Sequence, residues 1–244
     1  MTNGILIKES MRINKYLAIC GVASRRKAEE FVTGGLVKVN DQICTNLATD
    51  ILETDKVELN GKIVKPCENF EYYMLNKPKG YVSSVMDDRG RKTVVSLINT
   101  NARIFPVGRL DYDSEGLLLL TNDGDLTNIL THPKHEINKT YIVKIEGDIS
   151  LGEIALLEKG VTIDGNVKLS GAKVQVLNHE DNQTKLSVVI HEGKNREIRK
   201  MFEVVGKQVI FLKRTQIANL KMTGLKRGEY RKLTQKEIDY LKSL

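Results

Sequence analysis

The longest uninterrupted aliphatic run in this chain is Leu117–Leu120, and acids crowd both of its ends: Asp111, Asp113 and Glu115 before it, Asp123 and Asp125 after it. Four residues cannot cross a bilayer as a helix, which takes about 20. They read instead as one buried strand, because no polar residue interrupts them. Such a strand needs a sheet and a core around it, and 244 residues are enough for one or two domains of that kind. Apolar residues make 41% and charged residues 28%, the balance of an ordinary soluble protein, and Gly and Pro are too few for a disordered or collagen-like chain. Cys20, Cys44 and Cys67 are odd in number and form no CxxC pair, which argues against a disulfide framework and a zinc site. Met1 to Ser10 lacks the apolar core of a signal peptide. The expectation is a reduced, cytoplasmic, soluble protein with no membrane contact.

Charge is unevenly spread. Residues 1–28 hold six basic residues and one acid, residues 29–71 hold four and nine, and residues 194–232 hold twelve and three. Two separate basic segments point to two contacts with one polyanion, and the competing reading is a pair of solvated lysine faces. Trp is absent and aromatics are 5%, so an extended base-stacking platform is not expected.

Ile13, Tyr16, Leu17 and Cys20 fall on one helical face that Gly21 ends. Ser24 reads as the N-cap of a second helix with Ala28, Phe31 and Val32 inward and Gly34-Gly35 as its stop. Arg25, Arg26 and Lys27 then share its first turn, where the helix dipole disfavours cations; a phosphate partner explains them better than folding does. Short strands Leu36–Val39, Lys56–Leu59 and Lys62–Lys65 follow, with Asn60-Gly61 as a hairpin turn, and 67–71 reads as a linker. Beyond it, Tyr141–Ile145, Lys185–Ile190 and Val209–Leu212 read as strands; Asp125 caps a helix that runs through Leu130, and Asn195 caps one carrying Ile198, Met201, Phe202 and Val205. Ser150 with Glu153, and Thr234 with Glu237, make capping boxes. Strands and helices do not alternate regularly, so the fold class is α+β.

Two segments could carry chemistry. In Gly108–Gly124, Asp111, Asp113 and Gly116 match three positions of a calcium loop, but Glu115 and Asn122 stand at the fifth and twelfth positions, where the loop needs other residues. A two-metal nuclease would need further acids converging from other strands. Asp113, Glu115 and Asp123 read as an acidic turn that solvates the strand. Asp111, beside Arg109 and just ahead of the strand, reads as a half-buried carboxylate ready as nucleophile or base. In His191–Met201, Arg196 lies one helical turn from Arg199 and Lys200 on a cationic face. His132 and His135 flank Pro133 without a third ligand nearby. No phosphate-binding glycine motif and no nucleophile elbow is present.

These segments resemble the ribosomal RNA pseudouridine synthases of the RsuA/RluB type, most closely the RluB-like large-subunit branch, over nearly the full chain. Arg12–Asn40 looks like the small RNA-binding module first described in ribosomal protein S-four; Leu75–Gly80, Gly108–Gly124, Lys139–Tyr141 and Glu192–Met201 resemble the four catalytic motifs in order. Lys200 departs from the Arg usual there. The resemblance implies an RNA-binding domain over 11–68 and a mixed, mainly antiparallel α+β catalytic domain over 72–244. It implies isomerisation of uridine to pseudouridine, with ribosomal RNA, 23S rRNA or an assembling large subunit, as partner and no cofactor; a monomer is the default expectation. Asp111 would initiate catalysis as either nucleophile or base. Arg199 would pair with Asp111 across the cleft, and Tyr141 would stack on the base. Arg109, Ile190, Lys194 and Arg196 would bind the flipped nucleotide. Arg12, Lys15, Arg25, Arg26, Lys27 and Lys38 would bind RNA. The other reading from charge alone is a non-catalytic factor of ribosome assembly.

Overall fold

A computed structural model describes residues 10–67 and 69–244. The reading of Met1 to Ser10 as lacking a leader core falls almost wholly outside these residues, as does Glu68 of the linker. The chain forms two compact units: one holds the described residues up to Glu71 with 100–103 and 122–124, the other holds 72–99, 104–121 and 125–244.

The first unit contains β1 (Met11–Arg12), α1 (Ile13–Ile19), α2 (Arg25–Thr33), β2 (Val37–Val39), β3 (Gln42–Ile43), β4 (Asp50–Ile51), β5 (Val57–Leu59) and β6 (Lys62–Ile63). Ile13, Tyr16 and Leu17 of α1 are buried against Ala28 and Val32 of α2 and against Val37, Ile51 and Val57. The i, i+3, i+4 spacing on α1 puts these side chains on one stripe, which is why so short a helix is stable only in this core. Ser24 Oγ accepts from Lys27 N at 3.2 Å, as its N-cap role requires. The strands pair antiparallel in the order β3-β2-β5-β6, with β1 on β4 apart.

The second unit contains β7 (Tyr72–Lys77), β8 (Phe105–Val107), β9 (Glu115–Thr121), all but the first residue of α3 (Gly124–Thr131), β10 (Lys139–Glu146), α4 (Leu151–Lys159), β11 (Thr162–Ile163), β12 (Val167–Lys168), β13 (Lys173–Glu180), β14 (Gln183–Ile190), α5 (Glu197–Val204), β15 (Val209–Ile217), β16 (Leu220–Lys221), β17 (Tyr230–Lys232) and α6 (Gln235–Lys242). Its main sheet runs β13-β14-β10-β15-β9-β7-β17, with β16 beside β15 and β8 beside β9. Every pairing in it is antiparallel except β15 with β9. The mixed, mainly antiparallel α+β class is therefore the observed one. All seven residues of β9 are buried, as expected of an unbroken aliphatic run in the middle of a sheet. Both capping boxes form.

Three local expectations are corrected. Asn195 does not cap α5: Arg196 stands at the N-cap with φ +52° and no side-chain bond, while the Glu197 carboxylate reaches back to Gly193 N and Lys194 N, 2.6 Å each. α3 begins at Gly124, which places Asp125 within its first turn. Glu115 and Asp123 are not solvating residues but are buried at 3% and 4% exposure, and Glu115 pairs with Arg227 at 3.0 Å.

Candidate active site

The loop between β8 and β9 carries Arg109, Asp111, Asp113 and Ser114. Its backbone is tied down on several sides. Ser83 Oγ donates to Leu110 O at 2.7 Å and accepts from Leu110 N at 3.1 Å. Gly80 N donates to Tyr112 O at 2.9 Å, and Ser114 N to Asp111 O at 3.1 Å. From below, Lys77 at the end of β7 is fully buried and donates to Asp111 O and Ser114 O at 2.9 Å and to Pro78 O at 3.2 Å. Burial pushes its ammonium down to about 8, against the pull of the neighbouring Asp111 carboxylate.

A second lysine performs the same task on the opposite wall. Lys139 Nζ donates to Ile137 O, His191 O and Glu192 O at 2.9–3.0 Å, and burial lowers it too to about 8, helped by Arg214. The loop it holds leads into α5, whose Glu197 is raised above the usual carboxylate range by burial.

Between these loops lies a cleft lined by Arg109, Asp111, Tyr141, Ile190, Lys194 and Arg196, six of the seven residues expected at the reaction centre. Tyr141 comes from β10, Ile190 from β14, and Leu212 and Arg214 from β15, all buried. Alternation along each strand brings them to one face: Tyr141 stands opposite Arg214 in the ladder, and Arg214 Nη1 donates to Tyr141 Oη at 3.5 Å. Lys194 Nζ is engaged by Lys168 O at 2.7 Å and by Glu192.

The expected Asp111–Arg199 pair does not form. Arg199 Nη2 lies 2.9 Å from Asp113 and its Nη1 donates to Val209 O at 2.8 Å, so its guanidinium is committed to the other side of the loop. The cation facing Asp111 is Arg196, 3.7 Å from Oδ2 and also 3.5 Å from Asp113. The αL backbone of Arg196 just before the helix separates its direction from that of Arg199, which a regular-helix reading could not anticipate. Lys200, the departure from the usual Arg, pairs with Asp164. With Asp111 and Asp113 both facing arginines, the calcium-loop geometry is not realised. No group of three or more His, Cys, Asp or Glu among the described residues is arranged to hold a metal ion.

In the first unit, Arg25, Arg26 and Lys27 are exposed at the start of α2, with Lys27 paired to Glu30 at 2.5 Å. Arg12 is paired with Asp50 at 3.2 Å, Lys15 is half-buried, and Lys38 is exposed on β2.

Sequence reasoning assigned no role to Lys77, Lys139, Ser114 or Arg214. The first three sit inside quoted motifs, and the alternation of β15 from Leu212 was the available signal for Arg214. Gly116 was also missed: its φ is +107°, and a Cβ there would strike the backbone of Arg214.

Known proteins resemble this chain along most of its length. The pattern of the RNA pseudouridylate synthase family matches residues 71–204, and that of the S4 domain matches residues 11–57. The chain is 44% identical to ribosomal large subunit pseudouridine synthase B of Bacillus subtilis, over 96% of each chain. It is 36% identical to the dual-specificity RNA pseudouridine synthase RluF of Salmonella typhi, over 96% of this chain and 79% of that one. A crystal structure of a pseudouridylate synthase superposes with a TM-score of 0.70 at 30% identity, over 95% of this chain and all of the other.

Proposed function

We infer the function from the premise that this chain belongs to the RNA pseudouridylate synthase family: it isomerises uridine to pseudouridine in ribosomal RNA. In this reaction the C1′–N1 bond breaks, the uracil turns, and a C1′–C5 bond forms. Nothing is oxidised and no group is imported, so the chemistry calls for no cofactor.

The observation that carries the site assignment is the half-buried carboxylate of Asp111 in a cleft walled by Tyr141 and Ile190. Asp111 starts the reaction, either at the ribose carbon or by taking a ribose proton. Its backbone is held through Lys77, which limits the drift of a reacting group whose misplacement by 1 Å can cost about 10²-fold. Tyr141 stacks on the uracil and Ile190 closes the pocket against its edge. Arg196 partners Asp111, and Arg199 acts as a positioning residue through Asp113. Arg109, exposed at the mouth, holds the flipped nucleotide or fills the place it leaves. Lys194 braces the wall through Glu192 and Lys168. Flipping a uridine costs a few kcal/mol, which phosphate contacts can offset. We assign those contacts to Arg12, Lys15, Arg25, Arg26, Lys27 and Lys38 in a recruiting domain over 11–68, with catalysis over 72–244. The substrate is 23S rRNA, a reading supported by the Bacillus subtilis relative named for the large subunit. The protein acts as a monomer, in the cytoplasm where ribosomes assemble. No helix among the described residues is long and apolar enough to cross a membrane.

The test is an unmodified 23S rRNA domain incubated in EDTA with wild-type and Asp111→Ala protein, with pseudouridine mapped by carbodiimide labelling and primer extension. One new stop, present only with wild type, is expected. A stop that survives Asp111→Ala removes Asp111 from its role, and cleavage that EDTA abolishes returns the nuclease reading.

A further inference from the structure

Four buried side-chain atoms among the described residues have no hydrogen-bond partner: Asn76 Oδ1, Ser114 Oγ, Arg199 Nε and Arg214 Nη2. Unpartnered buried donors are uncommon, because each loses its bonds to water without replacement. Ser114 and Arg214 line the cleft, and of these two only Arg214 carries a charge. Arg214 is 3% exposed in the middle of β15. Its Nε is committed to Leu117 O at 2.7 Å and its Nη1 to Tyr141 Oη at 3.5 Å, which leaves Nη2 as the unused end. No carboxylate among the described residues pairs with this guanidinium. A buried cation without a counter-charge, beside a cleft, awaits an anion or a strong acceptor.

We propose that Nη2 of Arg214 donates to a carbonyl oxygen of the bound uracil and holds the negative charge the base carries between bond breaking and bond making. The proposal rests on the isomerase reading above. When C1′–N1 breaks, its electron pair stays on the uracil, which becomes an anion delocalised over N1, O2 and O4. That is so whether Asp111 bonds to C1′ or removes a ribose proton. As C5 bonds to C1′ the Asp111–C1′ bond breaks, or the ribose proton returns from Asp111, so the charge passes back to the carboxylate; C5 then loses a proton, N1 gains one, and the net change is zero. A guanidinium fixed by Leu117 and Tyr141 before the base arrives needs no reorganisation as this charge develops, and a dry site is where such a donor is worth most. Arg214 is thus a catalytic residue that contacts the leaving base, not the ribose.

The experiment measures single-turnover pseudouridine formation and, separately, RNA affinity for Arg214→Gln in two backgrounds, wild type and Tyr141→Phe. The expected loss of rate is about 10²-fold in both backgrounds, with affinity unchanged. A loss that disappears in the Tyr141→Phe background shows that Arg214 merely holds the tyrosine hydroxyl, and an unchanged rate removes Arg214 altogether; either overturns the proposal. If Arg214→Gln lowers the melting temperature too far to assay, Arg214→Lys replaces it in both backgrounds. Equal losses again support the proposal, and no loss, or loss only beside the intact Tyr141, overturns it. Wild-type protein in the same assay separates the two readings: no pseudouridine from wild type overturns the activity itself rather than the part given to Arg214.

Discussion

Arg25 and Arg26 stand in solvent at the first turn of α2, whereas Lys77 and Arg214 are sealed inside the second unit at 0% and 3% exposure. Both sets belong to basic stretches or motifs of one chain, yet their surroundings give them opposite tasks. The outward cations sit where the helix dipole resists them, and their charge stays open to solvent. The inward cations are held by the protein's own carbonyl groups: three for Lys77, three for Lys139 and one for Arg214, whose Nη2 alone stays unused. Most of these bonds cross-link backbone far apart in the chain: Lys77 to Asp111 and Ser114, Lys139 to His191 and Glu192, and Arg214 to Leu117. Counting charge along a chain therefore says little until each cation's acceptors are known.

The largest expected effect comes from breaking an inward cation. Lys77→Met fills a similar volume but strands the carbonyls of Pro78, Asp111 and Ser114. A loss of about 3 kcal/mol or more is expected in denaturant unfolding, because each buried acceptor left unpaired costs about 1–3 kcal/mol. Pseudouridine formation should fall with it, since the loop of Asp111 loses its floor.

The outward pair should behave in the opposite way. Arg25→Ala with Arg26→Ala leaves the melting temperature unchanged and weakens RNA binding, and the slope of log affinity against log salt becomes shallower by about 2, one for each phosphate contact. A filter-binding titration across salt checks it; an unchanged slope would assign the RNA contact elsewhere.

Alkaline pH sharpens the contrast between the units. Cys20 in the first unit is raised to about 12, chiefly by burial, so its contribution is intact below about 9 and is lost as pH rises toward 12. Lys77 in the second unit is lowered to about 8, so the unfolded chain holds a proton between about 8 and 10.5 that the folded chain has released, and stability rises with pH there. Melting curves from pH 8 to 10.5 should therefore diverge: Cys20→Ala gains on wild type as pH rises, and Lys77→Met falls further behind. The smallest effect is Arg25→Glu, which should stabilise α2 by about 0.5 kcal/mol through the helix dipole while RNA affinity drops.

Much of this was legible in the sequence, for identifiable reasons. The stripe of α1, the Ser24 cap, the Asn60-Gly61 hairpin and both capping boxes depend on residues within one turn of each other. That Asp111 and Tyr141 line one cleft follows from residues inside the Gly108–Gly124 and Lys139–Tyr141 motifs, whereas Ile190 lies in none of the motifs and enters the cleft from the end of β14. The Arg196–Asp111 approach was not legible, because one αL residue turns the side chain away from the direction a helix would give it. Burial of Glu115 was hidden because its partner, Arg227, lies far along the chain. Lys77 and Lys139 were given no role, since nothing local reveals three converging carbonyls.

The single parallel pairing in the main sheet has a consequence in time. β9 and β15 meet only at Glu115–Lys213 and Gly116–Arg214, and the bond from Arg214 to Leu117 spans 97 positions. Contacts this distant in sequence are among the last to form in a folding chain. As the protein leaves the ribosome, Asp111 and its loop emerge long before the strand that completes the cleft. A nascent chain halted at residue 208 holds the acid and lacks Leu212, Arg214 and Ile217 from the opposite wall. The carboxylate of Asp111 thus gains the last wall of its cleft only once the chain has been made through residue 217.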